Sequence, residues 1–262
     1  MGVAPMTISP FARWLISTYD WRPAMLTIGI VAWAVLLPTA LLVRRPPTAA
    51  APASPLTSAS APPLSAAEAL RSPPFAVLAL TFFLCCAAHS GPIFHMVSYA
   101  IGCGVPAMAA VTIYSLEGLS GLGGRLLLGV LADRLGVKTV LVAGLLVQAV
   151  AIASYLFVNR LAEFYILAML FGTAYGGVMP LYAVLAREYF GQHIMGTVFG
   201  AVTMASAIGM AFGPVLGGWV FDTFDAYSWL FIGSCAVGLG AVAIALLFPP
   251  LPSRQRALLQ PA

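Results

Sequence analysis

The feature that most restricts this chain is a series of seven apolar runs, at residues 23–43, 75–99, 107–131, 137–158, 164–186, 194–220 and 228–248. Each is 21 residues or longer, and about 20 predominantly apolar residues suffice to cross the hydrocarbon of a bilayer. Inside lipid every backbone amide must be bonded within its own segment, so runs of this length are read as helices. The alternating pattern of a membrane barrel is absent. Only 8% of the residues are charged, against about 25% in a soluble domain. So few charges cannot cover a water-facing surface. The expected fold class is an all-α integral membrane protein with seven transmembrane helices, and the lipid bilayer is its first partner.

The connections set the orientation. With the C-terminus inside, the inner segments carry Arg44, Arg45, Arg71, Arg134, Lys138, Arg187, Arg254 and Arg256, whereas the outer ones carry Arg13, Arg22 and Arg160. Cytoplasmic loops hold the excess of Lys and Arg, so the N-terminus is expected outside and the C-terminus in the cytoplasm. A plasma membrane, the inner membrane of a bacterium, is the expected location. The net charge of +4 follows from this bias and gives no reason to expect a nucleic acid. Residues 1–22 lack the basic start and short apolar core of a signal peptide. They read as an outer, polar-aromatic approach to the helix at 23–43.

One connection differs from the rest. Residues 44–74 are rich in Pro, Ala and Ser and read as a cytoplasmic linker. They divide the helix at 23–43 from a six-helix domain at 75–248, which a cytoplasmic tail at 249–262 follows. Within that domain Gly172, Gly176 and Gly177 form one cluster, and the next span carries Gly196 and Gly200, then Gly209, Gly213 and Gly217, four apart within each set. Small residues at this spacing let helix backbones approach closely.

Charges concentrate in one place. Arg125, Asp133, Arg134 and Lys138 fall in the stretch GRLLLGVLADRLGVK at 124–138. Asp133 to Gly136 read as a tight inner turn, with Arg134 and Lys138 at the level of anionic headgroups. The pattern Gly129-x-x-x-Asp133-Arg134-x-Gly136-x-Lys138 closely resembles the signature cytoplasmic loop of the major facilitator superfamily of secondary transporters. DWRPAMLTIGIVAWAVLLPTALLVRRPP looks like the family's sixth helix entering its central loop, GMAFGPVLGGWVFD like its eleventh helix, and AREYFG like its tenth-to-eleventh loop. The resemblance implies that the loop is the eighth-to-ninth copy and that the chain holds the sixth through twelfth of twelve helices. It would then be an incomplete transporter, with six helices forming the C-terminal half-bundle and an N-terminal half as the missing partner. The implied activity is alternating-access transport of a small solute between two halves, about a site near the midplane, and not an enzymatic reaction.

The candidate site residues follow from charge and depth. Arg125 precedes Asp133 by eight residues, about 12 Å along a helix, which sets it nearer the midplane than the interface. A charge there needs a wet cavity or a partner, and a planar guanidinium suits a carboxylate. The resemblance adds that an arginine here is similar to the substrate-binding arginine of the monocarboxylate branch, implying an organic anion as solute. Glu117 lies on nearly the same face two turns earlier, as a carboxyl available to carry a coupling proton. His89, His95, Tyr175 and Tyr182 belong to helices that line the cavity in that family, which makes them candidate substrate contacts, and packing is the competing role for each.

Other chemistries find little material. Cys85, Cys86, Cys103 and Cys235 have no metal-type spacing, and no cofactor or metal is expected. A retinal protein needs a lysine in its last span, but the single lysine is Lys138. A seven-helix receptor remains the alternative. No nucleophile–base set, phosphate loop or nucleotide fingerprint is found.

Overall fold

A computed structural model describes residues 3–42 and 65–250, and every regular element among them is helical. In chain order these are α1 (Val3–Tyr19), α2 (Trp21–Leu42), the short α3 (Ala66–Leu70), α4 (Pro73–Gly102), α5 (Ala107–Leu135), α6 (Val137–Ser154) with a closing 3-10 turn (Tyr155–Phe157), α7 (Leu161–Phe190), α8 (Met195–Phe224) and α9 (Ser228–Leu246). Most of the proposed linker, and the tail from residue 251, lie outside the described residues.

Local chemistry accounts for the boundaries. α3 opens on a capping box, in which Ser65 bonds the Glu68 amide while the Glu68 carboxylate accepts from the Ser65 backbone at 2.9 Å. Those bonds, the Ser65 hydroxyl first, hold the Glu68 carboxyl below its ordinary range. Pro73 begins α4, where its missing N–H is no loss. Gly136 is the only residue between α5 and α6, at φ 88°, a conformation that glycine adopts without steric cost. The turn is therefore tighter than the sequence suggests. Gly129 lies within the helix, and Asp133, Arg134 and Leu135 are still helical, because charged side chains at a helix end need no loop to reach water.

Six described helical segments are long and apolar enough to cross a membrane: α2, α4, α6 with its 3-10 turn, α7, α8 and α9. α5 has the length, with 29 residues, but falls short in apolarity because Glu117, Arg125, Asp133, Arg134 and a run of glycines dilute it. The protein is an all-helical membrane bundle. Of the N-terminal segment, Val3–Tyr19 form α1, which packs on α5.

The bundle is built on close pairs. α4 packs against α8 and α9, α5 against α7, and α6 against both α7 and α9, while α2 leans on α1 and buries only Ala24. Lipid supplies no hydrophobic drive between helices, so these pairs depend on fit. Gly209, Gly213 and Gly217 of α8 seat against Phe83, Ser90 and His95 of α4 with no room for a Cβ. Gly196 and Gly200, also four apart, meet nothing within 4 Å. One core lies toward the α5–α6 turn, around Phe82, Leu141, Leu145 and Tyr182. The other lies at the opposite end, around Met96, Ile113, Tyr155, Phe171 and Phe231.

A buried polar layer between α4, α5 and α7

Between the two cores the bundle carries buried polar side chains. Their level is set by backbone contact. A Cβ on Gly121 of α5 would stand 3.2 Å from the Gly172 carbonyl of α7, and Gly172 in turn lies against the Glu117 carbonyl. Gly124 and Gly177 approach in the same way, a Cβ on Gly177 reaching the Gly124 carbonyl at 2.7 Å. These contacts draw the stretch 117–125 against 172–177.

Glu117 is 1% exposed, and neither carboxylate oxygen has a hydrogen-bond partner. An ionised carboxylate in this position has nothing to offset its desolvation, whereas a carboxylic acid needs far less. Tyr114 on its own helix, Tyr155 at the end of α6 and Tyr175 on α7 lie within electrostatic reach of it. The Tyr155 hydroxyl is also buried without a partner. Arg125 is half-buried, and its Nε is buried and unpartnered. Tyr175 lies within electrostatic reach of Arg125 as well as of Glu117.

His89 joins this layer from α4. It is 2% exposed, its ring centroid lies 5.2 Å from that of Tyr175, and its Nδ1 is 3.9 Å from Cys85 Sγ. The Cys85 thiol also approaches Gln148 Oε1 of α6 at 3.8 Å, and the Gln148 amide donates to the Cys85 carbonyl at 3.4 Å. His89 and Tyr175 thus meet across α4 and α7, while Glu117 and Arg125 are carried by the stretch of α5 packed on the same part of α7.

The other two candidates sit elsewhere. Tyr182 is fully buried nearer the α5–α6 turn, stacked on Phe82 at 4.0 Å and donating to the Thr81 carbonyl at 3.5 Å. His95 lies at the far end, where its Nε2 is 3.2 Å from the Pro214 carbonyl and its ring 5.3 Å from Tyr227. Sequence reasoning overlooked Gln148 and Tyr155. A lone amide inside the apolar α6 was a visible signal for Gln148. Tyr155 gave none, because an aromatic at the end of a span is ordinary.

At the turn, Asp133 and Arg134 are exposed, while Lys138 Nζ donates to the Leu246 and Phe248 carbonyls at 3.0 and 2.6 Å. Lys138 therefore caps the C-terminal end of α9, where the helix dipole favours a cation. Tyr189 of α7 secures the next residue, donating to the Pro249 carbonyl at 2.6 Å.

Comparisons with known proteins fit this architecture. The model of the Major Facilitator Superfamily matches residues 1–214 and 124–262. Monocarboxylate transporter 12-B of Danio rerio is 25% identical over 278 residues, which cover 94% of this chain and 57% of that protein. Monocarboxylate transporter 13 of Bos taurus is 24% identical, over 95% of this chain and 58% of its own length. Multidrug transporter protein MdtP of Bacillus subtilis is 30% identical over 135 residues, 49% of this chain and 23% of that protein. The chain spans less than two thirds of the length of the monocarboxylate transporters it matches.

Proposed function

The chain belongs to the major facilitator superfamily, and we propose that it forms the C-terminal part of a secondary transporter that moves a small organic anion by alternating access. In this reading α4 to α9 are the second half-bundle and α2 is the family's sixth helix. α5 is the seventh span, with Glu117 turned into the protein and Asp133 and Arg134 at its cytoplasmic end. The remaining length of the relatives corresponds to an N-terminal half that completes the cavity. The N-terminus is outside and the α5–α6 turn cytoplasmic. Because the similar proteins come from animals, a fungus and a bacterium, the host membrane is taken only as a plasma membrane.

Arg125 is the anion-binding group, its guanidinium offering two parallel donors to a carboxylate. Tyr175 and His89 line the same face of the cavity, and Glu117 carries the coupling proton. Tyr182 and His95 take up solute only in another conformation, since here both are engaged by backbone carbonyls. The observation that carries this assignment is a buried unpartnered guanidinium nitrogen and a buried unpartnered carboxyl on the same helix, about 12 Å apart along its axis. A charge at the bilayer centre costs about 2.5–3.5 kcal/mol on insertion scales, and neither group is offset by a protein partner.

The test is binding of radiolabelled pyruvate to the purified chain in lipid nanodiscs, compared with Arg125→Lys and Arg125→Gln. Loss of at least about tenfold in affinity, the loss expected of a charged hydrogen-bonded pair, supports the assignment. Unchanged binding in Arg125→Gln removes Arg125 from the site.

A further inference from the structure

Cys85 and His89 stand about one turn apart on α4, and so share a face of that helix. Cys85 Sγ lies 3.9 Å from His89 Nδ1 and 3.8 Å from Gln148 Oε1 of α6. The three side chains are 0%, 2% and 1% exposed. The Gln148 amide is fixed by its bond to the Cys85 carbonyl, and Cys85 itself belongs to the apolar core around Leu141 and Leu145. A sulfur, an imidazole nitrogen and an amide oxygen thus converge where the neighbours are hydrocarbon. The cysteines show no metal pattern among themselves because the second ligand is a histidine four residues on.

We propose that Cys85 and His89 form a two-coordinate site for a soft monovalent cation, Cu(I). The inference stands apart from the anion site at Arg125. Thiolate is the side-chain ligand that selects Cu(I), and imidazole suits copper as well. Charge decides the valence. One thiolate, one neutral imidazole and one monovalent ion sum to zero, and a complex without net charge can remain buried where a charged one is costly. A zinc ion would leave one positive charge, and its structural sites take four ligands. Among the described residues no group of three or more His, Cys, Asp or Glu is placed to hold a metal.

The distance fits the same ion. Metal–sulfur and metal–nitrogen bonds of about 2.3 and about 2.0 Å sum to about 4.3 Å for ligands on opposite sides of an ion. The 3.9 Å gap between Sγ and Nδ1 falls a few tenths short, within the play of two side chains. On binding, the Cys85 S–H bond breaks, a sulfur–copper bond forms, and the proton leaves to water. Nδ1 gives its lone pair to the ion, so the ring proton is on Nε2. Copper enters and stays as Cu(I), with no electron transferred. Entry is eased by Pro92, which has no N–H for the Ala88 carbonyl. The turn beside His89 is therefore one backbone bond short and opens at lower cost.

The experiment supplies Cu(I) anaerobically, as its bicinchoninate complex, to the purified chain in lipid nanodiscs. The wild type should withdraw one copper per chain and release one proton, and excess zinc should not displace the copper. X-ray absorption of the product should show one sulfur and one nitrogen around copper, a result that needs no variant. Cys85→Ser should abolish the transfer. His89→Ala should weaken it by at least about a hundredfold, since loss of an outer-shell partner alone costs up to that much. The combined variant Cys86→Ser, Cys103→Ser, Cys235→Ser should bind as the wild type does. Thermal unfolding of each metal-free variant checks that it is folded. No copper transfer to the wild type, transfer retained in folded Cys85→Ser, or a sulfur-only coordination unchanged in His89→Ala would each overturn the site and leave the Cys85–His89 contact as packing.

Discussion

Gly172 of α7 rests on the carbonyl of Glu117 of α5 with no room for a methyl group between them. The same contact that packs the two helices therefore fixes where the buried carboxyl sits along the bundle. Packing and chemistry share one set of glycines.

That identity predicts an unequal response to one small substitution. Gly176→Ala drives a methyl group into the Gly121 backbone and should destabilise the bundle by about 1–3 kcal/mol. Gly196→Ala meets open space and should leave stability unchanged or raise it by up to about 1 kcal/mol, through helix propensity. Thermal unfolding of the detergent-solubilised variants checks both signs.

The Lys138 cap predicts a local effect. Lys138→Met removes the donor to the Leu246 and Phe248 carbonyls. Amide exchange over the last turn of α9 should then accelerate about fivefold, the equivalent of about 1 kcal/mol from a terminal cation. Exchange in the centre of α9 should not change. Lys138→Arg, which keeps a donor and the charge, should restore most of the protection.

A third contrast concerns two buried phenols. The Tyr155 hydroxyl has no partner, so Tyr155→Phe should be neutral or stabilising by about 1 kcal/mol. The Tyr182 hydroxyl donates to the Thr81 carbonyl, so Tyr182→Phe should cost about 1 kcal/mol. Denaturation midpoints of the two variants, measured side by side, should move in opposite directions or differ by that amount.

Much of the architecture is legible in the sequence because lipid imposes a coarse rule, and long apolar runs obey it. The run at 75–99 became Pro73–Gly102 and that at 228–248 became Ser228–Leu246. The rule fails where polarity enters a helix. α1 mixes Pro10, Arg13 and aromatics, and so it read as an approach to the membrane. Asp133 to Gly136 read as a turn, although Asp133, Arg134 and Leu135 are still helical and Gly136 alone supplies the needed backbone conformation.

The candidate site was legible only in part, for a geometric reason. Spacing along one helix tells which side chains share a face, but not which neighbour that face meets. Tyr175 and Tyr182 share a face of α7, yet one meets His89 and the other Phe82. The glycines at 196 and 200 match the spacing of those at 209 to 217, and only the latter meet a partner helix.

In this reading α5 crosses the membrane with Glu117 inside the protein, although it is the least apolar of the long helices. Labelling Pro106→Cys and Asp133→Cys, each in a background without native cysteines, with a membrane-impermeant maleimide tests it directly. The account predicts that Pro106→Cys reacts only from the outer face of sealed vesicles and Asp133→Cys only from the cytoplasmic face. Reaction of both positions from the same face would contradict it.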